Sequence, residues 1–133
     1  MDLGHWTTKL KIEQENLPYG FIYVITNNVN DKKYFGKKQM KSVKKLKPLK
    51  GRKNKRHFDI ETDWKTYTSS SNELNADIQK YGKDKFTFEI LSWCKNKSDL
   101  SYEEMKQIIL ANALYDKDYY NEYVGGRVRI RKA

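Results

Sequence analysis

The sequence predicts a single small α+β domain, in which a three-stranded antiparallel sheet is flanked by helices. Three observations lead to this prediction. The chain has 133 residues, which is enough for one domain. Its first apolar segments form two strand-like runs around a polar turn, which is the pattern of a β-hairpin. Two helical patterns then enclose a third strand-like run, and this mixed order is typical of an α+β fold.

The hairpin comes first along the chain. Residues 20–26, "GFIYVIT", are rich in β-branched and aromatic side chains, which favour a strand. The next segment, "NNVND", is typical of a turn, and "KKYFG" is the expected returning strand, which ends at Gly36. Because an isolated hairpin is only marginally stable, we expect it to pair with another strand.

A strongly basic segment follows the hairpin. Residues 32–56 contain thirteen lysines and arginines and no acid, which is nearly half of the 27 basic residues in the chain. Pro48 and Gly51 argue against one long helix. We therefore predict a loop, followed by a short helix near "RKNKRHFDIE".

The segment "SSSNELNADIQKYG" has the clearest helical pattern. Ser70 and Glu73 have the spacing of a capping box at its start, and Gly82 is a C-terminal stop. The side of this helix that we expect to be buried consists of Leu74, Ile78 and Tyr81.

The rest of the chain predicts a third strand, a second helix and a tail. The half-buried strand lies in "DKFTFEILSW", where the inward side chains are Phe86, Phe88 and Ile90. The second helix lies in "SDLSYEEMKQIILANAL", where the inward side chains are Met105, Ile108, Ile109 and Ala113. The tail, "YDKDYYNEYVGGRVRIRKA", is expected to be a loop with a short basic end, or an edge strand.

We divide the chain into three parts. Residues 1–18 are a polar lead-in without an assigned structure, residues 19–124 form the domain with a basic insertion at 37–57, and residues 125–133 are a basic tail. The formal net charge of +10 favours an anionic partner, most often nucleic acid. A basic but merely soluble protein is the alternative from composition alone.

Several other kinds of protein are disfavoured. The single cysteine, Cys94, excludes an internal disulfide and suits a reducing compartment. One cysteine with His5 and His57 does not make a zinc site of the usual type. The chain has no apolar run near the roughly 20 residues of a membrane span, and its first residues do not resemble a signal peptide. We expect a cytoplasmic protein without a membrane partner.

Two short motifs on consecutive predicted strands resemble the signature of the GIY-YIG nucleases. These motifs are Phe21-Ile22-Tyr23 and Tyr34-Phe35-Gly36. The spacing of their tyrosines fits that family, and an arginine, a glutamate and an asparagine follow in the family's order. The first motif departs from the family in having Phe21 where glycine is usual, with Gly20 one place earlier. The resemblance covers about residues 20–124 and is closest to small phage-encoded Seg-type endonucleases, which are homing-like.

This resemblance implies a metal-dependent DNA endonuclease that hydrolyses phosphodiester bonds. It implies Tyr23 as the general base toward water, helped by Tyr34, and Glu104 as the ligand of one Mg²⁺ or another divalent ion such as Mn²⁺. A tyrosine titrates near 10, so this base needs either a nearby cation or a route for its own proton. Since magnesium keeps most of its water shell, one carboxylate is a sufficient protein ligand.

Glu104 also has a purely structural interpretation. We prefer it to Glu103 because Ile108, four residues later, places it beside the buried side of the helix. However, Ser101 and Glu104 also have the spacing of a capping box, in which the carboxylate would bind backbone amides. A helix that begins at Ser98 would leave Glu104 free.

The resemblance also implies an arginine and an asparagine in the site. Arg56 is our first choice for the phosphate clamp and Arg52 is the alternative, because a guanidinium matches the geometry of phosphate. Both can equally be ordinary members of a solvated basic run. Asn121 matches the family's late asparagine and is expected to position the active-site groups, although asparagine is also common in turns.

The remaining basic residues are expected to bind the DNA backbone, with double-stranded DNA as the partner and no small-molecule cofactor. The residues in this group are Lys37, Lys38, Arg52, Lys53, Lys55 and His57. Such contacts make binding depend on salt but carry no sequence information. A disordered polycationic loop would have the same sequence.

Two other functions compete with the endonuclease. A non-catalytic nucleic-acid-binding module with a nuclease-like fold explains the charge but not the ordered tyrosines, arginine, glutamate and asparagine. A structural basic protein explains only the composition. For a nuclease, one active site cuts one strand, so double-strand cleavage requires a dimer or two successive events.

Overall fold

The computed structural model describes residues 2–11, 17–53, 56–125 and 128–129, with the backbone alone at 44–46, 56–59 and 128–129. Its strands are β1 (Thr7–Thr8), β2 (Gly20–Asn27), β3 (Lys32–Gln39), β4 (Lys41–Leu46), β5 (Arg56–Glu61), β6 (Phe86–Cys94), β7 (Tyr123–Val124) and β8 (Val128–Arg129). Its α-helices are α1 (Asn72–Tyr81) and α2 (Lys97–Leu110).

A four-stranded sheet forms the centre of the domain, in the order β1-β6-β2-β3. Strand β2 pairs antiparallel with both β3 and β6, and β1 pairs parallel with β6. The predicted α+β class is confirmed. The sheet has one strand more than the three predicted because the N-terminal segment, left unassigned from the sequence, supplies β1.

This N-terminal segment belongs to the core. Trp6 is buried against Phe21 and Tyr23, and its indole N–H donates a hydrogen bond of 2.6 Å to the carbonyl of Trp64. One large aromatic side chain is enough to anchor a short polar segment, because its burial outweighs the neighbouring hydrophilic residues.

The two helices lie on opposite faces of the sheet. Leu74 of α1 packs in the cluster that contains Phe21, Tyr23 and Ile25. Leu100 of α2 packs in a separate cluster on the other side of β2. Alternate side chains of β2 point to opposite faces, so nearly the whole strand is buried.

Helix α1 follows the prediction except at its first turn. The N-cap is Ser71, whose hydroxyl accepts a hydrogen bond of 3.2 Å from the Leu74 amide, so the predicted capping box of Ser70 and Glu73 is wrong. Glu73 instead forms an ion pair of 2.6 Å with Lys32 of the hairpin. Gly82 ends the helix as predicted, with φ +94°.

Helix α2 has a narrower buried side than predicted. Ile108 is buried, and so is Ala113 beyond the helix end, but Ile109 is 64% exposed and its predicted inward position is wrong. The sheet-facing stripe runs through Leu100, Glu104 and Ile108. Ile109 lies five residues after Glu104, about 140° around the helix, and therefore faces away from the sheet.

The basic segment is a two-stranded ribbon, so the predicted loop and short helix are both wrong there. Strands β4 and β5 pair antiparallel, and β4 follows β3 after only Met40. The residues of β5 alternate between apolar or basic side chains and polar ones, which is a strand period and not a helical one. Later in the chain, the tail forms the short antiparallel pair β7–β8.

None of the helices in the described part of the chain is long and apolar enough to span a membrane.

We predict that Trp6→Ala destabilises the domain by about 3–5 kcal/mol, because it removes a buried aromatic side chain and its hydrogen bond. The measurement is denaturant-induced unfolding. The matched control is Val43→Ala on the ribbon, where the side chain is 56% exposed and the expected change is within about 0.5 kcal/mol. Equal effects of the two changes would show that the N-terminal segment does not contribute to the core.

Candidate active site

A cavity of about 690 Å³ lies along the outer edge of the sheet, beside β3. Its walls come from the hairpin, the start of α1, helix α2 and the segment before β7. Four of the five residues predicted to be catalytic line it together: Tyr23, Tyr34, Glu104 and Asn121. Residues that are far apart in the sequence therefore meet in one concave site.

The register of the hairpin explains the spacing of the two tyrosines. Tyr23 lies opposite Gly36, and Tyr34 lies opposite Ile25. Tyr23 and Tyr34 are consequently diagonal neighbours on one face, with ring centroids 6.2 Å apart. A Cβ atom at Gly36 would overlap the hydroxyl end of Tyr23, so only glycine leaves room for that ring.

Both tyrosines are neutral at physiological pH. Burial raises the pKa of Tyr23 well above its usual value, and the neighbouring Tyr34 raises it further. Burial likewise raises the pKa of Tyr34 to about 12, against a smaller lowering by a hydrogen bond with Ser70. Neither side chain is a preformed phenolate base.

Two hydroxyl groups in the wall of the cavity, those of Ser70 and Tyr67, were not predicted from the sequence. Ser70 hydrogen-bonds with both Tyr34 and Tyr67, and all three side chains line the cavity. The sequence offered only a weak signal, because Ser70 has the spacing of a helix cap and an aromatic residue such as Tyr67 more often packs in a core. Tyr67 also packs edge-on against Tyr23, at 6.4 Å between ring centroids.

Helix α2 presents Glu104 to the cavity. The N-cap is Asn96, whose side chain accepts a hydrogen bond of 2.8 Å from the Asp99 amide. The helix therefore starts before Ser101, and the capping-box interpretation of Glu104 is wrong. Its place between Leu100 and Ile108 puts a carboxylate on the sheet-facing stripe, where an apolar residue is the usual choice.

Lys37 of β3 is the partner of Glu104. The two side chains form an ion pair of 4.0 Å, and the Lys37 backbone amide hydrogen-bonds to the carboxylate. Burial nevertheless raises the pKa of Glu104, because desolvation outweighs the stabilisation from Lys37. The Lys37 ammonium also donates a hydrogen bond of 3.2 Å to the Ser101 hydroxyl.

Asn121 holds the edge strand in place. Its side-chain oxygen accepts a hydrogen bond of 3.0 Å from the Phe35 amide, and its side-chain nitrogen donates one of 2.8 Å to the Phe35 carbonyl. Just before it, the Tyr120 amide donates to the Lys33 carbonyl at 2.7 Å. The segment before Asn121 pairs parallel with the start of β3, and the Asn121 side chain continues this pairing to Phe35. Phe35 lies between Tyr34 and Gly36.

The predicted basic residues are distributed differently. Lys37 lines the cavity, and it is the only basic residue among the described residues that line it. Lys38 lies 2.7 Å from Asp63 and 4.0 Å from the centre of the Tyr67 ring, so it packs against the wall. Arg52 and Lys53 are exposed at the tip of the ribbon, away from the cavity.

For the other predicted basic residues, Lys55, Arg56 and His57, the structure describes at most the backbone. Arg56 begins β5 and His57 follows it, but their side chains, like all of Lys55, lie outside the described residues. Arg56, the first choice for the phosphate clamp, begins a strand where the sequence predicted a short helix, and Arg52, the alternative, lies outside both strands of the ribbon.

The cavity fits one hydrated divalent cation. Glu104 supplies a carboxylate whose side chain is only 18% exposed, and the described residues contain no cluster of three or more histidines, cysteines or acids. Two other acids line the wall: Glu73 is paired with Lys32, and Glu122 is exposed. A single carboxylate suits Mg²⁺, which retains most of its waters, better than ions that require several protein ligands.

Comparison with known proteins assigns the chain to a family. Residues 6–124 match the family described as "Putative endonuclease segE, GIY-YIG domain". The chain belongs to this GIY-YIG family. The match begins at residue 6, so it includes Trp6 and β1, which the sequence resemblance had left out. Family membership supports a nuclease function.

One curated relative is "Putative endonuclease segE" of Enterobacteria phage T4. The two sequences are 29% identical over 108 residues, which is 81% of this chain and 42% of that relative. The chain therefore spans less than half of the relative's length. No solved structure matches the chain significantly.

We predict that Glu104→Gln raises the thermal stability near neutral pH. Since the pKa of Glu104 is raised in the folded state, the wild-type protein loses stability as the pH rises from the unfolded value of about 4.3 through the folded value. Glutamine has no such loss. The difference in Tm between variant and wild type should be near zero at pH 4 and positive, by about a few degrees, at pH 7.

The matched control for this measurement is Glu103→Gln, which removes a carboxylate one residue earlier, where it is paired with Lys106. A Tm difference for Glu104→Gln that falls with increasing pH would contradict the described burial of Glu104.

Proposed function

We propose that this GIY-YIG domain is a metal-dependent DNA endonuclease that hydrolyses phosphodiester bonds. The observation that carries the proposal is the meeting of Tyr23, Tyr34, Lys37 and Glu104 in one cavity. These side chains supply the groups that phosphodiester hydrolysis needs: hydroxyls to orient and deprotonate water, a cation for phosphate and a carboxylate for a metal.

Glu104 would hold one Mg²⁺, or another divalent ion such as Mn²⁺, together with water and phosphate oxygens. When bound, the ion supplies Lewis-acid stabilisation of charge on the phosphate and on the leaving oxygen. Lys37 lies beside the same carboxylate and would bind a further phosphate oxygen. We assign the phosphate clamp to Lys37, since it lines the cavity and Arg52 does not.

The tyrosines would act through their protons and not as phenolates. With its raised pKa, Tyr23 can accept a proton from water only as its own proton leaves. Tyr34 lies beside it, and Ser70 and Tyr67 continue the line of hydroxyls along the wall. We propose that these groups orient the attacking water and carry its proton toward solvent, while Asn121 keeps β3 aligned.

The substrate that we propose is double-stranded DNA in the cytoplasm. The exposed residues Arg52 and Lys53 at the tip of the ribbon would contact its phosphates outside the cavity, where charge adds affinity and salt dependence.

One observation favours a second candidate, a non-catalytic DNA-binding module. Lys37 already forms an ion pair with Glu104, and such a pair can fill a site that holds no metal. This alternative explains the basic surface, but it gives no reason for a largely buried carboxylate in the same cavity as the buried Tyr23 and the partly buried Tyr34.

We predict that the purified protein nicks or linearises supercoiled plasmid with Mg²⁺ and not with chelator. Glu104→Gln should lower the rate by at least about a hundredfold, since it removes the carboxylate that would hold the metal. Glu103→Gln, one residue away on the same helix, should stay within about threefold of wild type. The measurement is the rate of loss of the supercoiled form on a gel.

Plasmid binding without cleavage under any divalent ion would reject the endonuclease and support the binding module. Full activity of Glu104→Gln would reject the assigned metal ligand even if cleavage depends on metal.

A further inference from the structure

The ribbon of β4 and β5 stands away from the sheet. Val43 is 56% exposed and Ile60 is 39% exposed. The two lie on opposite faces of the ribbon, because Val43 pairs with Asp59 and Ile60 pairs with Ser42. Neither face therefore covers the core, and the described contacts of β4 and β5 are mainly with each other.

The ribbon carries most of the net positive charge of the chain. Residues 41–61 contain nine lysines and arginines and two acids, in a protein with a net charge of +10. Lysines on exposed strands can also serve only to prevent edge-to-edge aggregation. That explanation does not extend to the tip, which lies beyond the strands and is equally basic.

The tip is an ordered turn that presents cations. The Arg52 amide donates a hydrogen bond of 2.9 Å to the Leu49 carbonyl, and Gly51 between them has φ +83°. A positive φ at the third position is the requirement of a type II turn. Lys50, Arg52 and Lys53 are all exposed on this turn, so a partner can reach all three.

The base of the ribbon is fixed to the strand that forms the active-site edge. Met40, between β3 and β4, is fully buried, and its amide donates to the Tyr19 carbonyl at 2.8 Å. Its carbonyl accepts a hydrogen bond of 2.9 Å from the Thr62 amide at the end of β5. The ribbon is therefore held on the same strand as Lys37 and extends beyond it.

Resting on the proposed endonuclease function, we propose that this ribbon enters the major groove of duplex DNA on one side of the cleaved bond. A two-stranded ribbon fits the roughly 12 Å width of that groove. Exposed aliphatic side chains on both faces and exposed basic side chains at the tip suit a groove, which offers base edges and thymine methyls between two rows of phosphates.

The position of the contact follows from the length of the chain. The distance along the chain from Lys37 to the base of the ribbon at Lys41 is at most about 13 Å. The six residues of β4 add about 20 Å. At about 3.4 Å per base pair, the tip reaches at most about one helical turn from the cleaved bond. The contacts should lie to one side of the cut and not around it.

The first test compares two variants that lose equal charge. One is Lys50→Gln, Arg52→Gln and Lys53→Gln at the tip, and the control is Lys95→Gln, Lys97→Gln and Lys117→Gln, which are also exposed. Binding to a duplex is measured in chelator over a range of salt. We expect the tip variant to lower the slope of log Kd against log salt by about 2 to 3, and the control to leave it unchanged.

The second test identifies the groove. Wild-type binding is compared for a plain duplex, a duplex with bulky C5-substituted pyrimidines, and a duplex saturated with a minor-groove ligand. The bulky substituents project into the major groove and should raise Kd about tenfold, whereas the minor-groove ligand should not. A hydroxyl-radical footprint should extend about ten base pairs on one side of the cut and shorten in the tip variant.

Three results would overturn the proposal. They are equal effects of the tip and control variants, loss of binding with the minor-groove ligand alone, and equal affinity for duplex RNA, whose major groove is too narrow for a ribbon. Each leaves metal-dependent plasmid nicking untouched, so the ribbon proposal can fail while the endonuclease stands. Absence of nicking, with binding intact, would instead reject the endonuclease.

Discussion

Asn121 binds both backbone groups of Phe35, and in doing so it closes the outer edge of the sheet. Phe35 lies between Tyr34, which faces the cavity, and Gly36, which leaves space for the Tyr23 ring. An edge strand without such a partner would expose its amides and could shift its register by one residue, which would turn Tyr34 to the other face. The geometry of the cavity therefore depends on one buried amide side chain.

The wall of the cavity that α2 forms contains a carboxylate whose burial is energetically unfavourable. Glu104 lies on the stripe of α2 that packs toward the sheet, and Lys37 offsets only part of its desolvation. A carboxylate in that place makes the fold less stable than an apolar residue would. Functional sites commonly carry such a cost, because the charge is needed for binding and not for folding. The same helix keeps apolar side chains before and after Glu104, so the cost is confined to one position.

The sequence predicted those parts of the fold that follow from local patterns. The strand containing Phe86 and Phe88 has a clear period of two, and α1 ends at Gly82 as its stop signal indicates. The tyrosines of the hairpin were predicted from their motif, and the register then places them together. In these cases, the information lies within a few neighbouring residues.

The sequence did not predict features that depend on distant partners. Trp6 is buried only because Trp64 and Phe21 meet it from far along the chain. The ribbon was not predicted because the many lysines of this segment obscure the period-two pattern of its side chains. The pairing of β4 with β5 shows that both segments are strands. Ser70 resembled a helix cap, and its hydrogen bonds to Tyr34 and Tyr67 arise only from tertiary contact.

The proposed function requires that Glu104 holds the catalytic metal at the edge of β3. The most direct measurement is anomalous X-ray scattering from a crystal of the wild-type protein soaked in Mn²⁺, compared with one of Glu104→Gln. We expect one peak within coordination distance of the Glu104 carboxylate in the wild type and none at that place in the variant. A peak elsewhere, or one that persists in the variant, would contradict the account.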